Sequence, residues 1–187
     1  MKYKSDIILK NGDNCVIRNA EASDAQAVYD TFNLTHEETD YLLSYPDENR
    51  LSVEQERRFL AELEQNDRET ELCAVVGGRI VGTAGIEAVG KTDKVKHRAE
   101  FGIGIEQNYW GMGIGRALLM AGVECAQRAG YTQLELDVVA DNLAAIALYQ
   151  SVGFIEFGRN PKGFCSRKAG WQELILMRLE LNASADQ

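Results

Sequence analysis

Residues 109–119 of this 187-residue chain, YWGMGIGRALL, decide the fold, because they place Gly111, Gly113 and Gly115 between a predicted strand and a predicted helix. A loop at that junction can present bare backbone N–H groups, reinforced by the helix macrodipole, to an anion such as a pyrophosphate. Glycine suits it because a Cβ would hold the anion away and because some N–H groups converge only at positive φ. Arg116 stands where a GxGxxG fingerprint has its third glycine, and no Walker-type Gly-Lys-Ser or Gly-Lys-Thr follows. The stretch therefore predicts an anion cradle unlike those of dinucleotide and ATP sites.

A second informative stretch is residues 140–154, ADNLAAIALYQSVGF, which predicts a helix that begins at Asn142 and is closed by Gly153. Asn142 and Tyr149 are seven residues apart, or about 700° and roughly 10.5 Å along a helix, so they share one face. A ligand on that face would meet an amide and, two turns later, a phenol. Alternatively, Tyr149 is a core aromatic. Leu148 has the better helical spacing for the core, which leaves Tyr149 to one side.

The flanking sequence shows the same mixture of strand and helix. Gly77-Gly78 and a turn near Thr92-Asp93 predict that the first three strands after residue 70 form an antiparallel meander. The helix after Gly111 repeats Ile114, Leu118, Ala121 and Cys125 on one face and ends at Gly130. The predicted strands are LCAVV, RIVGTAGIEAV, HRAEFGIGI, LELDVV, FIEFG and ELILMRLEL, with a loop bearing glycine and lysine between the last two.

The amino-terminal third predicts a hairpin and two helices. Ile7–Leu9 and Cys15–Arg18 flank an Asn-Gly-Asp turn, and Ser23 or Asp24 can cap the first helix. Ser52 followed by Gln55 is a capping-box signal for a second helix, which runs to about residue 66. Residues 36–71 hold twelve acidic residues against four arginines, which leaves −8 and would favour approach of a cationic partner.

No repeat or linker divides the chain, so residues 1–181 are expected to form one mixed α/β domain with a β-α-β crossover. The remaining stretch, NASADQ at 182–187, is expected to be a disordered polar tail.

Composition excludes several classes of protein. With 20 basic and 29 acidic residues the formal charge is −9, which argues against a nucleic-acid partner. The longest early apolar run, Ile7–Leu9, is far shorter than a signal-peptide core or a membrane span, so a cytoplasmic protein without membrane attachment is expected. The four cysteines lie far apart and no CxxC or HExxH occurs, so neither a disulfide nor a metal site is expected.

Residues 100–154 resemble the acetyl-CoA-binding half of the GNAT N-acetyltransferase superfamily, because the Gly-rich loop, its long helix and the Asn-x6-Tyr helix ending in Gly-Phe occur in order. The resemblance extends over about residues 15–181. It implies a central, mostly antiparallel sheet that splays at the cofactor site, with helices on both faces. One departure is Trp110, which stands where the family usually has Gln or Arg. Since backbone N–H groups supply most phosphate contacts, this change should leave the cradle intact.

The resemblance also implies a role for individual residues. Tyr149 is similar in position to the family's general acid, and Glu100, on the strand that would flank the acetyl group, is the candidate base, although a solvated strand carboxylate is the equal alternative. The remaining implied contacts with acetyl-CoA come from three segments: the strand end Ile103, Gly104 and Ile105; the loop Gly111, Met112, Gly113, Ile114, Gly115 and Arg116; and Asn142.

The expected activity is acetyl transfer from acetyl-CoA to a primary amine of a small molecule or peptide, by direct attack in a ternary complex. The alternative is a non-catalytic acyl-CoA-binding module, while a nicotinamide or flavin oxidoreductase fails on the glycine spacing. The acceptor should bind near residues 34–66, where a polyamine, amino sugar, antibiotic or peptide N-terminus all remain open. A small basic loop could gate that site, and a homodimer is a family-level expectation; the loop residues are Lys162, Arg167 and Lys168.

Overall fold

The computed structural model describes residues 2–181, so the expected disordered tail at 182–187 lies outside the described residues. Within them the chain forms an eight-stranded sheet and four α-helices. The strands are β1 (Lys4–Ile8), β2 (Asn14–Asn19), β3 (Thr70–Val76), β4 (Arg79–Ala88), β5 (Arg98–Ile105), β6 (Gln133–Val139), β7 (Ile155–Ser166) and β8 (Gly170–Glu180). The helices are α1 (Ala25–Glu38), α2 (Val53–Glu64), α3 (Ile114–Arg128) and α4 (Leu143–Val152).

The sheet order is β1-β2-β3-β4-β5-β6-β8-β7. Every neighbouring pair is antiparallel except β5 and β6, which are parallel and joined by the α3 crossover. The expected mostly antiparallel mixed sheet is therefore confirmed.

Helices cover both faces of the sheet, as the resemblance implied. Helix α3 packs on β2 to β5 and buries its Leu118 and Leu119 in the main hydrophobic cluster. Helices α1 and α2 lie on the opposite face, where Val28 and Leu60 pack against Cys73 in a smaller cluster. The two faces thus differ, since only the α3 face carries a large apolar core.

The central strands separate partway along their length. Strand β5 pairs with β6 only from Arg98 to Glu100, although β5 continues to Ile105. Its other edge stays paired with β4 as far as Ile105, and β6 stays paired with β8 as far as Val139. A wedge therefore opens between β5 and β6 beyond Glu100, and the splay expected from the resemblance is present.

One prediction from local sequence was wrong. The loop expected between the last two strands is mostly strand, because β7 runs to Ser166 and turns back only at residues 167–169. Pro161 fits because β7 is an edge strand, where a missing N–H costs little. A Cβ at Gly163 would fall 2.3 Å from Leu174, so glycine there lets β8 pack closely. The pairing of β7 with β8 therefore outweighs the turn propensity of Pro161 and Gly163.

Local signals predicted the start of α2 correctly. Ser52 Oγ accepts the Gln55 N–H at 3.3 Å, and Gln55 Oε1 accepts the Ser52 N–H at 2.8 Å, which completes the predicted capping box of α2. Helix α2 ends at Glu64, two residues before the predicted end.

Replacing Ser52 with Ala should lower the free energy of unfolding by about 1 kcal/mol, because one helix N–H loses its acceptor. Urea unfolding would measure this. Ser23→Ala is the matched control: Ser23 is exposed in the middle of the short turn Ala22–Asp24 before α1 and caps no helix, so its change should stay within about 0.5 kcal/mol. Equal effects of the two substitutions would contradict the capping role.

Candidate functional site

The wedge leaves one edge of β5 unpaired over residues 101–105. Backbone N–H and C=O groups on such an edge remain available to a ligand that pairs like a strand. One acceptor is already used, since the Trp110 indole N–H donates to the Ile105 carbonyl at 2.7 Å. Ile103 and Ile105 pack against the main core, whereas the opposite side of Gly104 faces Thr35 of α1.

The glycine loop lies beside the open end of the wedge. Gly111 and Gly113 have φ of 74° and 107°, and a Cβ on either would meet no atom within 4 Å. No side chain caps α3 at Gly113, and the Ala117 N–H is the one that reaches back to the Gly113 carbonyl, at 3.2 Å. By helix geometry the N–H groups of residues 114–116 therefore point outward without an intrahelical acceptor. The arrangement fits an anion.

Three elements converge on Gly115. A Cβ there would lie 3.2 Å from Leu148 Cδ2 of α4 and 3.4 Å from Ile105 Cδ1 of β5. Arg116 joins the same two helices, because its Nη1 donates to Ser151 Oγ at 3.0 Å. The loop, α4 and the end of β5 thus lie together. Two other residues of the glycine loop are also held in place. Ile114 is fully buried, and the Met112 carbonyl accepts the Lys10 N–H at 3.2 Å.

Tyr149, rather than Leu148, is the buried residue of α4, so the predicted order of these two side chains was wrong. Tyr149 is 6% exposed and its ring lies 5.8 Å from that of Phe154. Gly153, at φ 108°, turns the chain so that Phe154 folds back over Tyr149, a contact that helical spacing alone does not reveal. Burial raises the pKa of Tyr149 to about 12. Its hydroxyl has no hydrogen-bonding partner within residues 2–181.

Asn142 is the N-cap of α4. Its Oδ1 accepts the Ala145 N–H at 3.2 Å, so the amide oxygen is engaged in the helix. The Nδ2 group is the part of this side chain left for a ligand. Asn142 thus lies just before the first residue of α4, and Tyr149 lies within the helix.

Glu100 is exposed on the face opposite the buried Phe101, where the wedge begins. Its Cα partners are Glu87 on β4 and Glu135 on β6. Partial burial and then the charges of Asp137, Glu135 and Glu87 raise the pKa of Glu100. Arg98 opposes this only partly, because its guanidinium is held by Glu135 at 2.5 and 2.7 Å.

Sequence reasoning missed a clasp that fastens the segment between α1 and α2 to the β7–β8 turn. The Arg167 guanidinium lies 4.2 Å from the Tyr45 ring and donates to Asp47 at 2.7 Å. The Arg167 backbone N–H donates to the Tyr45 hydroxyl at 2.8 Å, and the Ser166 hydroxyl donates to Asp40 at 2.5 Å. A cleft of about 160 Å³ lies beneath these contacts. The opposite charges of the two segments are the only trace of this clasp in the sequence.

Arg167, which lies outside residues 36–71, offsets part of the −8 that they carry, whereas Arg57 and Arg58 are already counted in that sum. Asp47 and Glu48 face Arg167, while Glu54 faces Arg57 and Arg58. The unneutralised acids that could steer a cationic ligand are therefore fewer than composition suggests.

No helix within residues 2–181 is long and apolar enough to cross a membrane. Of the cysteines, Cys15, Cys73 and Cys125 are buried and Cys165 is exposed, and all four are free.

Comparison with known families and curated proteins identifies related chains. A family model described as Acetyltransferase (GNAT) family matches residues 26–154. The N-alpha-acetyltransferase RimI of Mycobacterium tuberculosis is 45% identical over 82 residues, which cover 44% of this chain and 49% of that protein. The chain thus spans about half the length of this curated relative.

Solved structures share the fold over nearly the whole chain. The acetyltransferase of GNAT family from Streptococcus pneumoniae has a TM-score of 0.85 and 31% identity, covering 89% of this chain and 99% of its own. The yncA protein from Salmonella typhimurium, solved with its cofactor acetyl-CoA, has a TM-score of 0.78 and 23% identity, covering 92% and 96%. At 23% identity, the likeness to the yncA protein shows a shared fold.

Proposed function

The chain belongs to the GNAT acetyltransferase family, and we propose that it transfers the acetyl group of acetyl-CoA to a primary amine of a small molecule or peptide by direct attack in a ternary complex. The observation that carries the proposal is the wedge between β5 and β6 with the uncapped glycine loop at its open end. We take residues 2–181 as one such domain, since the main core draws side chains from Leu9 through Leu181.

The described groups suit acetyl-CoA in size and chemistry. The outward N–H groups near residues 111–116 fit the pyrophosphate, and the open space in front of Gly111 and Gly113 allows its close approach. The unpaired edge at Ile103 to Ile105 fits the pantetheine amides, which would pair as a short strand does. The Nδ2 group of Asn142 would add a polar contact. The yncA protein, which shares this fold, holds acetyl-CoA.

Transfer to an amine requires a proton acceptor, because an alkylammonium with a pKa near ~10.4 is not a nucleophile. Glu100 is the proposed base, acting directly or through water, and its raised pKa makes the ionised carboxylate a stronger one. Activity that depends on this base should fall as pH drops through the raised pKa.

Tyr149 is the proposed donor to the departing thiolate. With its pKa raised to about 12, the phenol is fully protonated at neutral pH. A thiolate with a pKa near ~8.5 is too weak a base to take this proton completely, so Tyr149 stabilises the thiolate mainly as a hydrogen-bond donor. The Tyr149 hydroxyl makes no hydrogen bond with residues 2–181 and is therefore free to donate.

The acceptor would approach Glu100 from the α1 and α2 face, which carries the segment between residues 34 and 66. The clasp of Tyr45, Asp47 and Arg167 closes one side of this approach. Arg167 is thus the member of the predicted basic loop that supports a gating role, whereas Lys162 lies over the Trp171 ring at 5.3 Å.

Release of free thiol from acetyl-CoA in the presence of a panel of primary amines tests the function directly. We expect release that depends on the amine and a product of one added acetyl group by mass spectrometry. Acetyl-CoA binding without thiol release for any amine would support the non-catalytic acyl-CoA-binding alternative instead.

Gly113→Val should weaken acetyl-CoA binding at least about tenfold, because the side chain would stand where the pyrophosphate approaches. Calorimetry would measure the Kd. Gly130→Val is the matched control, since Gly130 follows the other end of α3, has φ of 79° and also meets open space. Both variants carry the same kind of backbone strain, so an equal effect on Kd would remove the cradle assignment.

Tyr149→Phe should lower kcat by roughly 100-fold or more while acetyl-CoA affinity changes little, because the ring stays and only the donor is lost. Tyr131→Phe is the control: Tyr131 is 1% exposed and its hydroxyl also lacks a partner among the described residues, but it lies at the far end of α3. A wild-type kcat in Tyr149→Phe, where chemistry limits the rate, would show that the phenol only packs.

A further inference from the structure

A second cleft, of about 170 Å³, lies between α2 and the strands β3 and β4. One wall is apolar and comes from Phe59 and Leu63 of α2. The other wall carries the carboxylates Glu69, Glu71 and Glu87. Glu87 is the direct cross-strand partner of Glu100, so this cleft adjoins the proposed acetylation site on the same face of the sheet.

The Glu71 carboxyl group lies in this cleft, packed closely against β4 and with a raised pKa. A Cβ at Gly85, its Cα partner on β4, would fall 2.9 Å from Glu71 Oε2, so only glycine leaves room for the carboxyl group. Burial first, and then the charges of Glu56 and Glu87, raise the pKa of Glu71 to about 8, while a hydrogen bond with Thr83 opposes the shift.

Glu56 of α2 is a nearly buried carboxylate close to Glu71. It is 8% exposed, yet its carboxylate has no hydrogen bond or ion pair with any residue from 2 to 181. It precedes Phe59 by three residues and Leu63 by seven on α2, which places it on the helix face that lines the cleft. Its charge acts on Glu71, so the two carboxyl groups lie near each other. A carboxylate with so little access to water gains free energy when a cationic ligand pairs with it.

Basic groups near the cleft are engaged elsewhere. Arg68 lies over the Tyr131 ring and donates to the Lys96 carbonyl. Arg57 and Arg58, on α2 itself, face Glu54. Glu69 is satisfied without a cation, because it accepts from the Ala88 N–H at 3.1 Å and from Asn66 Nδ2 at 2.9 Å. Glu56, Glu71 and Glu87 are therefore the carboxylates left for a cationic ligand.

We propose that this cleft binds the second ammonium of a linear diamine whose other amine is acetylated beside Glu100, an inference that rests on the proposed function. Glu87 is one strand from Glu100 and Glu71 two strands away, so the two nitrogens would lie roughly 5 to 10 Å apart. At about 1.2 Å per bond of extended chain, that distance corresponds to about three to seven methylenes. Phe59 and Leu63 would pack against those methylenes.

The first test compares kcat/KM for 1,5-diaminopentane and pentylamine, which differ in the second ammonium. The wild type should prefer the diamine by about tenfold or more, as expected for one charge-assisted contact in a partly buried site. Glu71→Gln and Glu87→Gln should each reduce this ratio severalfold. Glu62→Gln removes an exposed carboxylate from the outer face of α2 and should leave the ratio unchanged.

An equal kcat/KM for the two amines, or a preference that survives Glu71→Gln and Glu87→Gln, would overturn the proposal while leaving the acetyltransferase function intact.

A peptide with an N-terminal lysine carries the same pair of amines, and comparing it with 1,5-diaminopentane distinguishes a peptide source from a free diamine. The free diamine should have the higher kcat/KM, and the reverse order would overturn the commitment to a free diamine.

A second measurement does not depend on turnover. Binding of 1,5-diaminopentane should favour the ionised form of Glu71, so calorimetry at pH 7 in buffers of different ionisation enthalpy should detect proton release. Glu71→Gln should abolish the release, and Glu62→Gln should not. Failure of all amines in the thiol assay with proton release preserved would reject the proposed function and retain the cation site. Absence of diamine binding would reject the site.

Discussion

Three paired residues hold β5 to β6, from Arg98 to Glu100, and the candidate site depends on the separation that follows. Each strand keeps its other partner, β4 for β5 and β8 for β6, so the gap is a stable feature of the sheet and not a frayed end. Unpaired backbone groups beside a core are costly unless water or a ligand satisfies them. The same gap that breaks the sheet therefore creates an edge inside the sheet on which an amide-bearing ligand can pair.

The two faces of the sheet give the wedge two different chemistries. On the α3 face Phe101, Leu136 and Tyr149 are buried with the main core, which raises the pKa of the phenol and keeps it protonated. On the α1 and α2 face carboxylates follow one another across the strands, and Glu100 stands among them. The proposed proton donor, Tyr149, and the proposed proton acceptor, Glu100, thus lie on opposite sides of one sheet.

Local signals in the sequence predicted the elements that depend on few residues, namely the Ser52 capping box, the ends of α3 and α4 and the meander of β3 to β5. Features that depend on distant partners could not be predicted. Pairing with β8 extends β7 through Pro161 and Gly163, and the fold of Phe154 over the helix buries Tyr149 in place of Leu148. Glu71 and Glu56 look like ordinary surface acids until α2 is placed over β3 and β4. The Asn142 and Glu100 positions follow from motif and alternation, whereas their neighbours do not.

The glycine loop also shows how a flexible sequence is held in one conformation. Gly111 and Gly113 at positive φ have more conformations to lose than other residues, so an unanchored loop would bind an anion at a large entropic cost. Trp110 fixes one end through its bond to the Ile105 carbonyl, and Arg116 fixes the other through Ser151. Between them the Met112 carbonyl is tied to Lys10 of the amino-terminal hairpin. The departure at Trp110 from the family's usual residue therefore removes one backbone acceptor from the wedge and in exchange orders the loop before any ligand arrives.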